Sequence, residues 1–210
     1  MSRGSPVPFV LALVVLSAAA CSSGSDGSSP AAPACVYPAG PYGTSVGDVV
    51  DPSLSWQGYV GDATQATAVD VKGYYDCDGS KGVTAVLLDE SATWCVNCVN
   101  EAQQIGPDET STWKSQGVQV VTLMAQNEQT DPATLDTALS WRNAYALTAG
   151  AVCADPQWTL KLWGGAGPSG NGFPTNVLID PRTMKIVAVQ PPNLTGTVQN
   201  LAASNAPGAQ

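Results

Sequence analysis

Two cysteines near the middle of the chain have the residue type and spacing that reversible redox chemistry requires. The segment Trp94-Cys95-Val96-Asn97-Cys98 follows an apolar run and precedes residues that recur with helical spacing. A cysteine at the first turn of a helix faces the partial positive charge of the helix end, which stabilises its thiolate. A second cysteine three residues later lies on the same face. The spacing therefore predicts Cys95 as the attacking sulfur and Cys98 as the resolving sulfur of a redox disulfide.

Two other interpretations of this CxxC motif are a structural disulfide and one half of a zinc knuckle. A zinc site needs a second pair of ligands, and the chain of 210 residues has no other CxxC and no histidine. The absence of histidine also excludes Ser-His-Asp triads, Cys-His proteases and histidine-containing copper sites. With 8 Lys and Arg against 17 Asp and Glu, the net charge of −9 argues against nucleic-acid binding. We therefore expect cysteine chemistry without a metal or another cofactor.

The surrounding sequence predicts alternating strands and helices that would position these cysteines. Apolar runs of strand length occur at 83–88, 118–124, 176–179 and 185–189, and a shorter strand is predicted at 54–56. The helix after Cys95 is expected to end at Gly106-Pro107, and Asp131-Pro132 is expected to begin a second helix. A closing helix is predicted at 197–204. This order predicts an α/β protein whose central sheet has an antiparallel edge.

Two segments of the chain carry a family resemblance. The stretch from Leu88 to Cys95 resembles the approach to the active site of thioredoxins and of the TlpA/ResA-type thiol-disulfide oxidoreductases, and Gly172-Phe173-Pro174 with the strand after it resembles their cis-proline segment. The separation of the two motifs suits the TlpA-type layout, in which an extra helix and strand, here 131–154, are inserted between them. The resemblance implies a thioredoxin-like fold: a central mixed sheet flanked by helices, with an N-terminal extension at 36–67 and the thioredoxin-like domain at 68–206.

The resemblance also implies roles for single residues. Trp94 matches the aromatic residue before the nucleophile, and Pro174 matches the cis-proline, beside which the backbone of Phe173 would pair with the substrate. Asp89 lies six residues before Cys95, matches the buried acid of thioredoxin and would take the proton of the resolving cysteine. A strand-end residue that faces solvent is the alternative for Asp89. The implied partners are protein thiols and disulfides and a redox partner protein.

Two alternative functions differ in class from disulfide exchange. A thiol peroxidase of the peroxiredoxin type places a threonine three residues before its cysteine, whereas this chain has Ala92 there and Thr93 one residue later. A non-catalytic binding lipoprotein that uses the fold as a scaffold is the other alternative. The dipeptide Val96-Asn97 departs from the commoner Gly-Pro and Glu-Pro, so the motif predicts neither the reduction potential nor the direction of electron flow.

The first 35 residues are predicted to serve export rather than the fold. Residues 1–20 combine a basic start, a short apolar run and small residues, as a secretory signal does, and the run is too short to span a membrane. Ala18-Ala19-Ala20-Cys21 resembles a bacterial lipobox, which implies a lipid anchor at Cys21 in the cell envelope, on the periplasmic side or at the outer membrane. An ordinary cleaved signal peptide is the alternative. The Ser-, Gly- and Pro-rich composition of residues 21–35 predicts a flexible tether. We expect the domain that it joins to be a monomer.

Besides Cys21 and the CxxC motif the chain has three further cysteines, and an oxidising compartment favours their pairing. A Cys35–Cys77 disulfide is the preferred pair because both residues lie outside the thioredoxin core, where a bridge would clamp the N-terminal extension to the loop before the first core strand. Cys153 is expected to lie buried at the end of the inserted strand. A third redox cysteine is the alternative for this residue.

Overall fold

The computed structural model describes residues 35–163 and 172–208. The predicted signal peptide, the lipidation site Cys21 and the tether up to residue 34 lie outside the described residues. Within the described ranges, no helix combines the length and the apolar character needed to cross a membrane.

A seven-stranded mixed sheet organises the chain, with its strands in the order β2-β1-β5-β4-β3-β6-β7. The strands are β1 (Ser55–Val60), β2 (Thr67–Asp70), β3 (Ala85–Ala92), β4 (Val118–Gln126), β5 (Ala151–Ala154), β6 (Thr175–Asp180) and β7 (Lys185–Val189). The helices are α1 (Val96–Asp108), α2 (Leu135–Tyr145) and α3 (Leu194–Ser204). Strands β3, β4 and β5 run parallel, whereas β6 and β7 form an antiparallel edge, as the sequence predicts.

Strand β3 lies inside the sheet between β4 and β6, and all eight of its residues are buried. One face packs Leu87 against side chains of all three helices, including Ala102 of α1 and Val198 of α3. The opposite face packs Val86 and Leu88 against residues from the N-terminal part of the chain and from the segment after β5. Cover on both faces accounts for the nearly continuous apolar run that begins at residue 83.

The expected end of α1 at Gly106-Pro107 is wrong. The helix passes through both residues to Asp108 and continues as a π turn over Glu109–Trp113 and a 3-10 turn over Lys114–Gln116. Pro107 removes one N–H donor from the helix, and the wider π turn follows directly after it. The chain remains helical because Trp113, which is 1% exposed, is buried in the core beside Ile105. Glycine fits at 106 because a Cβ there would overlap the Tyr145 carbonyl oxygen.

The expected start of the second helix at Asp131-Pro132 is also wrong. Residues 132 and 133 are instead extended and pair antiparallel with the end of β4. Pro132 forms a bridge with Gln126, and the Ala133 N–H donates to the Ala125 carbonyl oxygen at 2.9 Å. The helix begins after Thr134, whose hydroxyl accepts from the Thr137 N–H at 3.3 Å while the Thr137 hydroxyl accepts from the Thr134 N–H at 3.1 Å. This reciprocal cap satisfies two backbone donors at the start of the helix.

The segment predicted as an insertion forms α2 and β5, and β5 pairs with β4 on one side and with β1 on the other. Strand β1 therefore brings the predicted N-terminal extension into the central sheet. Gly58 of β1 pairs with Cys153 of β5, and a Cβ at Gly58 would overlap the Cys153 sulfur. Close approach of the two strands requires glycine at this position.

Candidate active site

The CxxC motif lies where β3 passes into α1. Cys95 is the residue that precedes the helix, with an extended backbone, and its N–H donates to the Ala92 carbonyl oxygen at 3.1 Å. A disulfide joins Cys95 to Cys98, with the Cα atoms 5.2 Å apart. The Cys98 N–H donates to the Cys95 sulfur at 3.1 Å. Because this donor belongs to the first turn of α1, a thiolate on Cys95 would lie at the positive end of the helix.

The two sulfur-bearing residues differ in exposure. Cys95 is 6% exposed, whereas Cys98 is completely buried in the core between the sheet and the helices. The cysteine nearer the surface is therefore the one that precedes the helix. This is the order in which an attacking and a resolving sulfur need to be placed.

The peptide bond between Phe173 and Pro174 is cis and lies directly before β6. Strand β6 pairs antiparallel with β3, with Thr175 opposite Glu90 and Asn176 opposite Asp89. An antiparallel partner starts where its neighbour ends, so the cis-proline lies at the end of the sheet that carries the CxxC motif. The structure thus brings together the two sequence motifs, which lie 79 positions apart.

Aromatic side chains form a row beside these two motifs. Trp94, 45% exposed, donates its indole N–H to Gln126 Oε1 at 3.2 Å and meets Phe173 edge-on at 5.7 Å between ring centroids. Phe173 in turn stacks on Trp158 at 4.5 Å with an interplanar angle of 18°. The Lys161 ammonium lies 4.5 Å from the centre of the Trp158 ring. Sequence reasoning found Trp94 and Phe173 but missed Trp158, because no local pattern links it to the motif.

Asp89 is buried beneath the motif on the face of β3 that packs against α1. Its carboxyl group accepts hydrogen bonds from the Ser91 hydroxyl at 3.1 Å and from the Thr122 hydroxyl at 3.3 Å. Burial, followed by the negative charge of Glu101, raises the pKa of Asp89 well above its ordinary value. At 2% exposure, Asp89 is not the solvent-facing residue of the alternative interpretation.

Glu101, half-buried on α1, is the second carboxyl group of a pair with Asp89, and sequence reasoning missed it. It lies on α1 three residues after Cys98, a spacing that places both on one face of the helix and could have identified it. Burial raises the pKa of Glu101, while hydrogen bonds from Asn176 and Asp89 oppose the rise. The side chain also lines a cleft of about 190 Å³ between α1 and the start of α3, together with Asp108, Trp113 and Thr195. Glu101 is therefore the member of the pair that reaches solvent.

A bridge between Cys35 and Cys77 lies at the opposite end of β3 from the CxxC motif. The two cysteines form a disulfide with Cα atoms 5.7 Å apart. Beside Cys77, Asp76 accepts from the Val83 N–H at 2.9 Å, just before β3 begins, and pairs with Arg182 at 2.9 Å.

Cys153 is a buried free thiol in β5, and burial raises its pKa to about 12. Cys153 therefore stays protonated at neutral pH, and a protonated thiol is not a nucleophile.

Among the described residues, cysteine and carboxylate side chains that could bind a metal ion come together at one place. The ligand atoms of Cys35, Cys77 and Asp78 lie within 4.8 Å of one another. Both sulfurs are joined in the disulfide and are therefore not thiolate ligands.

Solved structures with the same arrangement of strands and helices define the fold. The thioredoxin domain of a thiol-disulfide oxidoreductase from Bacteroides vulgatus matches with a TM-score of 0.51 and 15% identity over 76% of this chain and 99% of that one. A thioredoxin-family thiol:disulfide interchange protein from Chlorobium tepidum matches with a TM-score of 0.50 and 18% identity over 73% and 94%. A 2-Cys peroxiredoxin from Plasmodium vivax matches with a TM-score of 0.53 and 15% identity over 77% and 82%.

These comparisons identify the class of the fold. The chain has a thioredoxin-like fold, as the resemblance in its sequence implied. No protein-family model matches the sequence, and no curated protein matches it.

Proposed function

We propose that this protein is a thiol-disulfide oxidoreductase that exchanges disulfides with protein substrates through Cys95 and Cys98. The observation that carries the proposal is the position of the Cys95–Cys98 disulfide, at the start of α1 and at the same end of the sheet as the cis peptide before Pro174. Two of the structures that share the fold are named for thiol-disulfide chemistry, which supports the same reaction here.

Reduction of a client begins at Cys95. Its thiolate attacks one sulfur of the client disulfide, forms a mixed disulfide, and releases the other client sulfur as a thiolate. The thiolate of Cys98 then attacks the Cys95 sulfur, which closes the Cys95–Cys98 bond and releases the second client thiolate. Two electrons pass from the enzyme dithiol to the client disulfide, and the reverse sequence oxidises a client dithiol. The reduction potential of the pair sets which direction dominates.

Cys98 must lose its proton before it attacks, and the carboxyl pair of Asp89 and Glu101 supplies an acceptor. Glu101 lies on α1, one helical turn after Cys98. Asp89 lies on the face of β3 that packs against α1, next to Glu101. A pair of neighbouring acids, of which Asp89 is buried and Glu101 half-buried, can share a proton near neutral pH and can take up or release another. We propose Asp89 and Glu101 together, rather than Asp89 alone, as the acid-base group of the resolving step.

Client segments would dock on the aromatic row defined by Trp94, Phe173 and Trp158. The exposed Trp94 ring and the backbone beside Pro174 flank Cys95, so a client strand that passes over the cis-proline would reach the sulfur. The stacked Trp158 extends this surface away from the CxxC motif. We propose that it contacts client residues near the reacting cysteine.

Reduction of insulin, and refolding of scrambled ribonuclease, test the proposal directly. The wild-type protein should catalyse one or both reactions, and Cys95→Ser should abolish them. Cys153→Ser is the matched control because it removes a thiol that lies buried in β5. Cys98→Ser should retain attack and accumulate mixed disulfides through Cys95. An inactive wild-type protein with no trapped clients would instead favour the non-catalytic scaffold.

Thiol peroxidase activity is the second candidate, because a 2-Cys peroxiredoxin shares the fold with a similar TM-score. The sequence before Cys95 opposes it, since Ala92 occupies the position where a peroxiredoxin places threonine. Consumption of hydrogen peroxide by the reduced protein measures this activity. Turnover that persists in Cys98→Ser but not in Cys95→Ser would support the peroxidase.

We also propose that the domain works outside the cytoplasm, held to the cell envelope through a lipid on Cys21. The Cys35–Cys77 disulfide supports an oxidising compartment. Its position at the opposite end of β3 from Cys95 means that the tether joins the domain away from the reactive sulfur. Globomycin-sensitive processing and a fatty-acid label on Cys21 are the expected results. A mature chain without lipid would favour plain secretion.

A further inference from the structure

The two carboxyl groups beneath the CxxC motif, the buried Asp89 and the half-buried Glu101, have different hydrogen-bond partners. Asp89 faces the hydroxyls of Ser91 and Thr122, and a hydroxyl can either donate to a carboxylate or accept from a carboxylic acid. Glu101 faces the side-chain amide nitrogen of Asn176, which lies 2.9 Å from each of the two Glu101 carboxyl oxygens. An amide NH₂ group donates only, so it favours a carboxylate over a carboxylic acid.

We propose that Asn176 is a positioning residue that fixes the shared proton of the carboxyl pair on Asp89 and leaves Glu101 ionised. The location of the proton does not depend on the proposed function. Its consequence does rest on that function: Glu101 is the member of the pair that accepts the proton of Cys98. The transfer is balanced: the thiol proton moves to Glu101, the Cys98 thiolate attacks the Cys95 sulfur, and the client thiolate leaves. Glu101 then returns the proton to water in the cleft.

The charges around Glu101 leave this task to Asn176. Among the residues that the structure describes, the ion pair within 4.0 Å joins Arg182 to Asp76, and no cation lies that close to Glu101. The acidic groups near Glu101 are Asp89 on β3 and Asp108 on its own helix, which lines the same cleft, while Cys98 one turn away is held in the disulfide. Strands β4 and β6 contribute the neutral Thr122 and Asn176, and α3 (Leu194–Ser204) has no ionisable side chain. Burial opposes a charge on Glu101, whereas hydrogen bonds from Asn176 and then from the protonated Asp89 support it, so the amide donor is its main support.

Asn176 is itself held in place by Gln190. The Asn176 N–H donates to Gln190 Oε1 at 3.1 Å, and the Asn176 carbonyl oxygen accepts from the Gln190 N–H at 2.8 Å. The Gln190 side-chain amide also donates to the Pro174 carbonyl oxygen. The backbone of Asn176 is thus joined to Gln190, and the Gln190 side chain joins it to the loop of the cis-proline. The bond between the Gln190 N–H and the Asn176 carbonyl oxygen belongs to the backbone, so it does not depend on the Gln190 side chain.

Carbon-13 NMR of the oxidised protein, with labelled Asp Cγ and Glu Cδ carbons, tests where the proton is. At pH 7 we expect Asp89 at the chemical shift of a carboxylic acid and Glu101 at that of a carboxylate. In Asn176→Ala the titration midpoint of Glu101 should rise by at least about one pH unit, which is tenfold in its ionisation constant. Gln190→Ala is the matched control: it removes the link to the cis-proline loop but keeps the amide donor, so the midpoint of Glu101 should change little.

Two results would overturn the proposal: a neutral Glu101 beside an ionised Asp89 in the wild-type protein, or an unchanged Glu101 midpoint in Asn176→Ala. The wild-type titration decides the proton's location even if the variant fails to fold. In the protein whose Cys95 carries glutathione as a mixed disulfide, the rate at which Cys98 closes the Cys95–Cys98 bond can be followed against pH. The midpoint of this pH profile should rise in Asn176→Ala by the same interval. Because the NMR titration uses the disulfide form, it remains decisive if the protein fails to exchange disulfides, an outcome that would count against the proposed function alone.

Discussion

Replacing Glu90 by glutamine should stabilise the folded protein at neutral pH. Glu90 lies next to Asp89 on β3 and points to the opposite face of the sheet, where it is completely buried. Its Oε1 accepts from the Leu160 N–H at 3.3 Å, and the protonated acid also shares a hydrogen bond with the Asp155 carboxyl group. Burial, followed by the neighbouring Asp155 carboxyl group, raises the pKa of Glu90 to about 10.

The direction of the effect follows from the protons bound in each state. Between the ordinary pKa of 4.5 and the folded value of about 10, folded Glu90 keeps a proton that the unfolded chain releases. Stability therefore falls by about 1.4 kcal/mol for each pH unit in this window, or by about 3 kcal/mol between pH 4.5 and 7. Glutamine has nearly the shape of the neutral acid and can still accept from Leu160, but it has no proton to lose. Glu90→Gln should thus gain about 3 kcal/mol at pH 7 and little near pH 4.5.

Urea unfolding at half-unit intervals from pH 4.5 to 8 measures this difference. The stability curves of the wild type and Glu90→Gln should converge at low pH and separate as the pH rises. Glu109, whose pKa burial raises to about 7, adds a pH dependence that both proteins share and that cancels in the difference. Glu128→Gln, at an exposed position after β4, is the matched control and should run parallel to the wild type. Parallel curves for Glu90→Gln would refute the reasoning, because Glu90 would then be ionised in the folded protein.

Three further predictions concern the site and the disulfide that lies away from it. Asp89→Asn should preserve or raise stability at pH 7, because burial raises the pKa of Asp89 and asparagine resembles the neutral acid, and stopped-flow closure of the mixed disulfide should persist near neutral pH because Glu101 remains the proton acceptor; a large loss of that rate would contradict this. Trp158→Ala should slow reaction with protein clients by about 5- to 10-fold through loss of the stack on Phe173, while the rate with a small disulfide such as oxidised glutathione stays the same. Replacing Cys35 and Cys77 together by serine should cost about 4 kcal/mol of stability in urea unfolding, because the bridge closes a loop with a sequence separation of 42, and a loss below about 1 kcal/mol would show that other contacts hold the N-terminal segment.

The elements that local patterns specify were predictable from the sequence. The apolar run at 185–189 coincides with β7. The two errors arose where tertiary contacts override local signals. Pro107 lies inside a helical segment because burial of Trp113 continues it, and Pro132 lies in extended backbone because β4 supplies its partner.

The candidate site divides in the same way. Cys95 and Cys98 follow from spacing, and burial of Asp89 follows from the apolar strand before it. Trp158 and Asn176 come from segments that only the complete fold brings to the motif, so no local pattern identifies them. Glu101 is intermediate, because its spacing from Cys98 is visible in the sequence while its partner Asn176 is not.

The two faces of β3 separate two effects of pH. Ionisation of the Asp89 and Glu101 pair acts on Cys98, because that pair lies on the α1 face. Ionisation of Glu90 acts on the segment after β5, where Leu160 follows the Trp158 ring that stacks beside the cis-proline. Since Glu90 stays neutral until about pH 10, client docking should vary little between pH 6 and 8. A pH-dependent rate in that range should therefore arise from the resolving step, and it should disappear when mixed-disulfide formation alone is followed in Cys98→Ser, apart from the titration of the Cys95 thiol itself.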